Sequence, residues 1–249
     1  MNPWPYPPDA VSSTMLLRGV RVVSLDAMNT IIGLREAPSV VYARIAGECG
    51  LEATPETIDE RFPKAFRDLE HRKPCYDLAG AGPRRWWAEV VAESLQFAPD
   101  AKDPRLQSAQ TLLFDYYAAP EAWRLLDDEV AEHLRGLRCR DVRVVVVSNF
   151  DYRLRRLLSD LGVSELLDDL FLSGEIGLQK PDPRLFRHAL DAMHLQSPNA
   201  LLHVGDHQQK DLEAPRTLGM RTLLLEKTAP PPSASQTLFV RSIGDLLGE

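Results

Sequence analysis

Cysteine is scarce. Cys49, Cys75 and Cys139 stand far apart in 249 residues, with no Cys-x-x-Cys pair. That spacing excludes a multi-cysteine zinc site, argues against a disulfide framework and fits a reducing compartment, either cytoplasm or an organelle matrix. Long apolar runs are missing too. No stretch reaches the roughly 18 residues that a membrane-spanning helix needs. Positive charge is in deficit: 29 Lys and Arg against 36 Asp and Glu leave a formal net charge of −7. The basic residues are dispersed, and the clusters Arg84-Arg85 and Arg153 to Arg156 read as solvated helix faces. Nucleic acid is therefore not expected as a partner. Internal repeats are absent. The opening MNPWPYPPDAVSST has neither a charged, apolar signal pattern nor an Arg-rich transit pattern. Residues 1–18 read instead as a surface arm, with Trp4 and Tyr6 as candidate anchors for a protein partner.

What the chain does have is alternation. Residues 20–26, 142–147, 170–172, 200–204, 222–225 and 238–240 are short, β-branched or apolar runs of strand character. VRVVVV at 142–147 is too apolar to face water on either side. Between them lie helical patterns at 127–137, 151–161, 183–193 and 213–218, with a last one at 243–247. Strands alternating with helices predict an α/β fold, a Rossmann-like parallel sheet covered on both faces. From 37 to 120 strand character vanishes. Apolar stripes at Val40/Val41/Ile45/Ala46, Phe62/Phe66/Leu69, Trp87/Val90/Val91/Leu95 and Leu112/Leu113/Tyr116/Tyr117 predict helices, with Pro55 and Pro104 at helix starts. KPCYDLAGAGP at 73–83 reads as a loop. At least one of Trp86 and Trp87 is expected in the core of this block. The block is too long for a crossover and reads as an inserted helical domain. The predicted organisation is an arm at 1–18, a core at 19–36 and 121–249, and a helical insert at 37–120, with TAPPPSAS at 228–235 a surface linker.

In such sheets ligands bind beyond the carboxyl ends of the strands. Four predicted strands carry polar residues at their ends or in the loop beyond: Asp26 in VVSLDAMNT, Ser148-Asn149 after VRVVVV, Lys180 in GLQKPDP after the third strand, and Asp206 with Asp211 after LLHVG. Any one of these is ordinary cap or turn chemistry. Together they read as a candidate phosphoryl site. Asp26 is a candidate nucleophile able to form an acyl-phosphate. Lys180 and Mg²⁺ would neutralise charge, and Ser148 would donate to phosphate oxygens. Asp26 and Asp206 are the expected direct metal ligands, with Asp211 binding water or holding Lys180.

This series resembles the haloacid dehalogenase superfamily of hydrolases, with a helical cap inserted after the first motif. Asp26-Ala-Met-Asn-Thr30 matches the first motif, Ser148-Asn149 the second, Lys180-Pro181 the third, and Gly205-Asp206 with Asp211 the fourth. The resemblance implies catalysis by Asp26, Ser148 and Lys180 and phosphate binding by Ser148, Asn149 and Lys180. It also implies Mg²⁺ held by Asp26, the Met28 backbone carbonyl, Asp206 and Asp211, and a small phosphorylated substrate. One residue departs from it. The family's phosphatases carry a second aspartate, two places after the nucleophile, that protonates the leaving group and activates water. Here that place holds Met28, which has no proton to give, and the neighbouring glycine is replaced by Asn29, a residue tolerant of unusual backbone angles. Three readings follow: slowed hydrolysis, with Asp151, His207 or Asp77 as substitute proton handlers; dehalogenation, with Arg35 or Arg44 for a substrate carboxylate; or a fold kept for binding or assembly. The chain would then act as a monomer, a homodimer or a subunit of a larger complex.

Overall fold

A computed structural model describes residues 16–226 and 239–248 of the chain. Trp4, Tyr6 and the 228–235 linker lie outside the described residues. The strand and helix patterns become β1 (Val22–Leu25), β2 (Ile32–Leu34), α1 (Pro38–Glu48), α2 (Pro55–Arg72), α3 (Gly82–Ser94), α4 (Pro104–Tyr116), β3 (Trp123–Leu125) and α5 (Val130–Cys139). They continue as β4 (Arg143–Ser148), α6 (Arg153–Asp160), β5 (Asp169–Leu172), α7 (Pro183–Ala192), β6 (Leu201–Gly205), β7 (Arg221–Leu225) and β8 (Phe239–Val240).

Six strands form one parallel sheet in the order β5-β4-β1-β6-β7-β8. Successive strand residues point to opposite faces, and here both faces are buried. Val23, Leu25, Val144 and Val146 join one apolar cluster with Leu134, Leu137, Leu154 and Leu158. Val22, Val145 and Val147 join another with Leu185, Phe186, Ala189 and Leu190 of α7. Each buried Leu or Phe contributes about 1.5–3 kcal/mol through removal from water. Thus an unbroken apolar run belongs in the middle of a doubly covered sheet. Prolines start helices as expected: Pro55, Pro104 and Pro183 follow caps Thr54, Asp103 and Asp182, whose side chains accept from backbone N–H groups two or three residues on.

Helices α1 to α4 lie between β2 and β3 and carry their own apolar clusters. Trp86 is fully buried there, with its indole donating to the Lys73 carbonyl. The two strands that lead into and out of this unit were not expected. β2 and β3 pair antiparallel, with Ile32 opposite Leu125 and Leu34 opposite Trp123.

Four local expectations need correction. In the 73–83 stretch, Cys75, Tyr76 and Asp77 all take left-handed backbone angles, and α3 begins at Gly82. The predicted 213–218 helix is instead a wide π-type turn at Gln208–Glu213 followed by one short turn at Ala214–Arg216. The 243–247 helix is a 3₁₀ turn at Gly244–Leu246. The Arg153–Arg156 cluster is split: Arg155 and Arg156 face solvent, whereas Arg153 is buried in an ion pair with Asp151. Its first member is there for that partner rather than for hydration.

Candidate active site

Strand register gathers the predicted residues. Leu25 pairs with Val146 of β4 and Val204 of β6, so Asp26 emerges at the carboxyl edge beside Ser148 and Asp206. β1 sits between β4 and β6, which is where the strand order reverses and where a crevice opens. Lys180 reaches the same point from a loop. Its ammonium donates to Asp26 Oδ1 at 2.8 Å and to Asp211 Oδ1 at 2.5 Å, and all three side chains are buried. Burial alone would lower the lysine pKa; the two carboxylates outweigh it, and the net direction is upward.

Asp211 is the most heavily engaged. Besides Lys180 it accepts from His203 Nε2 at 3.1 Å and from the His207 backbone N–H at 3.0 Å. Burial pushes its carboxyl up, but Lys180 and His203 win, and the pKa lies well below the usual carboxylate range. No side chain larger than hydrogen fits at Gly205, because a Cβ there would collide with the Asp211 carboxyl. His203 is fully buried, kept neutral chiefly by burial, and held by Ser24 Oγ at 2.8 Å on its other nitrogen. Sequence reasoning missed both Ser24 and His203. They lie inside apolar strands, where only the interruption of the run marks them.

Asp206 differs. Burial, and then the Asp26 charge, raise its pKa, opposed by one hydrogen bond from Asn29 Nδ2 at 3.1 Å. Asp26, Asp206 and Asp211 present oxygens within 4.8 Å of one another. Three carboxylates with a single ammonium among them leave an excess of negative charge in a half-closed site, and among the described residues Asp206 has no cationic partner. That donor set fits a hard divalent ion such as Mg²⁺, which binds oxygen ligands and keeps water.

The loop after β1 is shaped by its backbone. Ala27 accepts from the Thr30, Ile31 and Ile32 N–H groups, and Asn29 donates to the Ile32 carbonyl. Asn29 sits at φ +59°, the left-handed region. The bridge between Met28 and Ile32 therefore uses the peptide groups on either side of Met28 and leaves its own carbonyl out.

Ser148 is buried at the end of β4. Asn149 is spent on positioning: its amide donates to the Lys180 carbonyl at 2.8 Å and accepts from the Lys180 N–H at 2.7 Å. It thereby fixes the lysine loop. None of the three substitute proton handlers is idle. Asp151 is held by Arg153 and by Trp87 Nε1 at 3.0 Å. Asp77 accepts from Ala81 N–H, and His207 caps the turn at Lys210. Of the two arginines, Arg44 pairs with Glu36 and Glu48.

Beside Met28 lies a cavity of about 290 Å³ between the sheet edge and the helical unit. Met28, Trp123 and Phe150 wall it from one side, and Phe62, Trp87 and Tyr117 from the other. The Tyr117 hydroxyl is buried with no hydrogen-bond partner among the described residues.

The parallel sheet thus gathers an aspartate, a lysine and two further carboxylates at and just beyond the ends of its central strands. A model of the haloacid dehalogenase-like hydrolases matches residues 20–219, and the chain belongs to that family. It is 34% identical over 207 residues to human haloacid dehalogenase-like hydrolase domain-containing protein 3, covering 83% of this chain and 82% of that one. Among solved structures, the putative HAD-hydrolase YfnB from Bacillus subtilis, bound to magnesium, aligns with a TM-score of 0.68 at 16% identity, over 92% of this chain and 97% of that one. A 2-haloacid dehalogenase from Pseudomonas syringae aligns at 0.64 and 18%, over 92% and 97%. Both show the fold alone.

Proposed function

We propose that the protein is a Mg²⁺-dependent phosphatase of small phosphate esters, working through an acyl-phosphate on Asp26 and slowed by Met28. The observation carrying this is Asp206, a half-buried carboxylate near Asp26 with no cationic partner among the described residues. A site meant only to displace halide from carbon has no use for that extra charge.

In this reading Asp26, Asp206, Asp211 and the Met28 carbonyl hold the ion, which supplies a counter-charge to the phosphoryl oxygens. Asp26 offers its second carboxylate oxygen to phosphorus while Lys180 holds the first. Lys180 and Ser148 face the phosphoryl group, and Asn149 keeps the lysine in register. The helical insert at 37–120 acts as the cap that closes over the substrate. Met28 removes the proton handler, a loss of roughly 10²–10⁴-fold in rate. A second reading, ligand binding or assembly without turnover, draws on that same residue.

The test is hydrolysis of small phosphate esters with Mg²⁺. Wild type should turn over slowly, Asp26→Asn not at all, and Met28→Asp faster by a factor on the order of 10² or more. Silence from both wild type and Met28→Asp would leave only the second reading.

A further inference from the structure

We infer that the substrate's organic part is an aromatic ring system of one or two rings, seated in the cavity beside Met28. This rests on the phosphatase reading for the phosphoryl end. Three observations lead to it.

The first is the wall. Of its polar side chains, Tyr76 gives its hydroxyl to the Asn149 carbonyl, and Asn149 gives both ends of its amide to Lys180. Arg153 is taken by Asp151 and covered by the rings of Phe114 and Trp87, at 4.1 and 5.4 Å. What remains is apolar, mostly aromatic rings with Met28, Leu34, Pro38, Val91 and Leu113 between them. A sugar phosphate entering here would strip water from several hydroxyls and find almost nothing in exchange, at a cost of roughly 1–3 kcal/mol for each. An aromatic ring loses nothing polar and gains edge and face contacts with the surrounding rings.

The second is size. A cavity of about 150 Å³ holds one benzene. At about 290 Å³, this one has room for a substituted or fused ring pair.

The third is Met28, which lies in the cavity wall as well as in the catalytic loop. It cannot protonate a leaving oxygen. A phenol has a pKa near 10, as in tyrosine, against about 15.7 for water. A phenolate therefore departs without the help that an aliphatic alkoxide needs. In the step, Asp26 attacks phosphorus and the bond from phosphorus to the ring oxygen breaks. That oxygen leaves with the electron pair and takes its proton from solvent. Water then attacks phosphorus, the bond to Asp26 breaks, the carboxylate returns, and inorganic phosphate leaves while a proton passes to solvent. The aromatic cavity and the missing acid thus select the same class of ester.

Calorimetric titration of the full chain as Asp26→Asn, with Mg²⁺ present, reads binding apart from turnover. The probes are 2-naphthyl phosphate, glucose 6-phosphate, inorganic phosphate and 2-naphthol. Naphthyl phosphate should bind at least about tenfold tighter than either of the other phosphates, from ring burial. Leu113→Trp, which fills the cavity, should erase that difference and leave inorganic phosphate unaffected. Leu34→Trp at the half-buried rim serves where Leu113→Trp does not fold. A smaller preference, or one that survives a filled cavity, overturns the inference. If inorganic phosphate binds without discrimination, the ring class fails and the phosphate site stands. If 2-naphthol binds and no phosphate does, the cavity assignment stands and the phosphatase reading fails.

Discussion

Tyr117 carries an unusual burden for a residue at the end of a helix. Its hydroxyl is buried without a partner among the described residues, and an unpaired buried polar group costs about 1–3 kcal/mol. Tyr117→Phe should therefore leave stability at pH 7 unchanged or raise it by about 1 kcal/mol, measured by urea unfolding. Burial, followed by the neighbouring Tyr116, raises its pKa well above the ordinary tyrosine range. The sign follows from proton counting. Above pH 10 the unfolded chain loses a proton that the folded chain keeps, so stability falls as pH rises. The fall amounts to about 1.4 kcal/mol per pH unit for such a group. Between pH 10 and 11, the stability of Tyr117→Phe should decline less steeply than that of wild type. A residue of this kind is invisible in the sequence, where Tyr116 and Tyr117 look like one apolar stripe. Asp26 and Asp206 were legible because each directly follows a strand, and Lys180 and Asp211 because they stand in the segments just beyond one.

At the level of elements, the joint between α3 and α6 rests on one carboxylate. Asp151 accepts from the Arg153 backbone N–H at the start of α6, from the Arg153 guanidinium, and from the Trp87 indole of α3. Asp151→Ala would strand a buried guanidinium, and the expected loss is roughly 3–5 kcal/mol. Trp87→Phe removes only one hydrogen bond of the set, at about 1–2 kcal/mol. Chemical denaturation of both variants checks the ranking. Strands with buried flanks, such as Val22–Leu25 and Arg143–Ser148, were readable because burial on both faces demands an unbroken apolar run. β2 and β3 were not. Each has three residues, one containing Gly33 and the other Arg124, and their pairing spans a gap that no local pattern can bridge. The left-handed run at Cys75–Asp77 was likewise hidden, since none of its residues is glycine.

For the molecule as a whole, the site's charge should show in thermal behaviour. Ligand at 100 times its Kd adds about 2.7 kcal/mol, and a domain of 150–250 residues gains about 2–4 °C per kcal/mol. Saturating Mg²⁺ should then raise Tm by roughly 5–10 °C. Asp206→Asn should abolish that response. Because the raised Asp206 pKa marks its ionised form as disfavoured in the fold, the same variant should be more stable than wild type at pH 7 without metal. Differential scanning calorimetry with and without Mg²⁺ reads both effects. Among the described residues no helix is long and apolar enough to cross a membrane.

The β2–β3 ribbon has a consequence for how such a chain can change. Leu34 and Trp123 are direct partners across it, so the 88 residues between them leave and re-enter the sheet domain at one doorway. The ends of that excursion are already zipped together, and the entropy of closing a loop grows only with the logarithm of its length. Changes in the length of the helical unit away from its contacts with Asp151, Arg153 and Met28 therefore add little closure entropy for the strands beneath to offset.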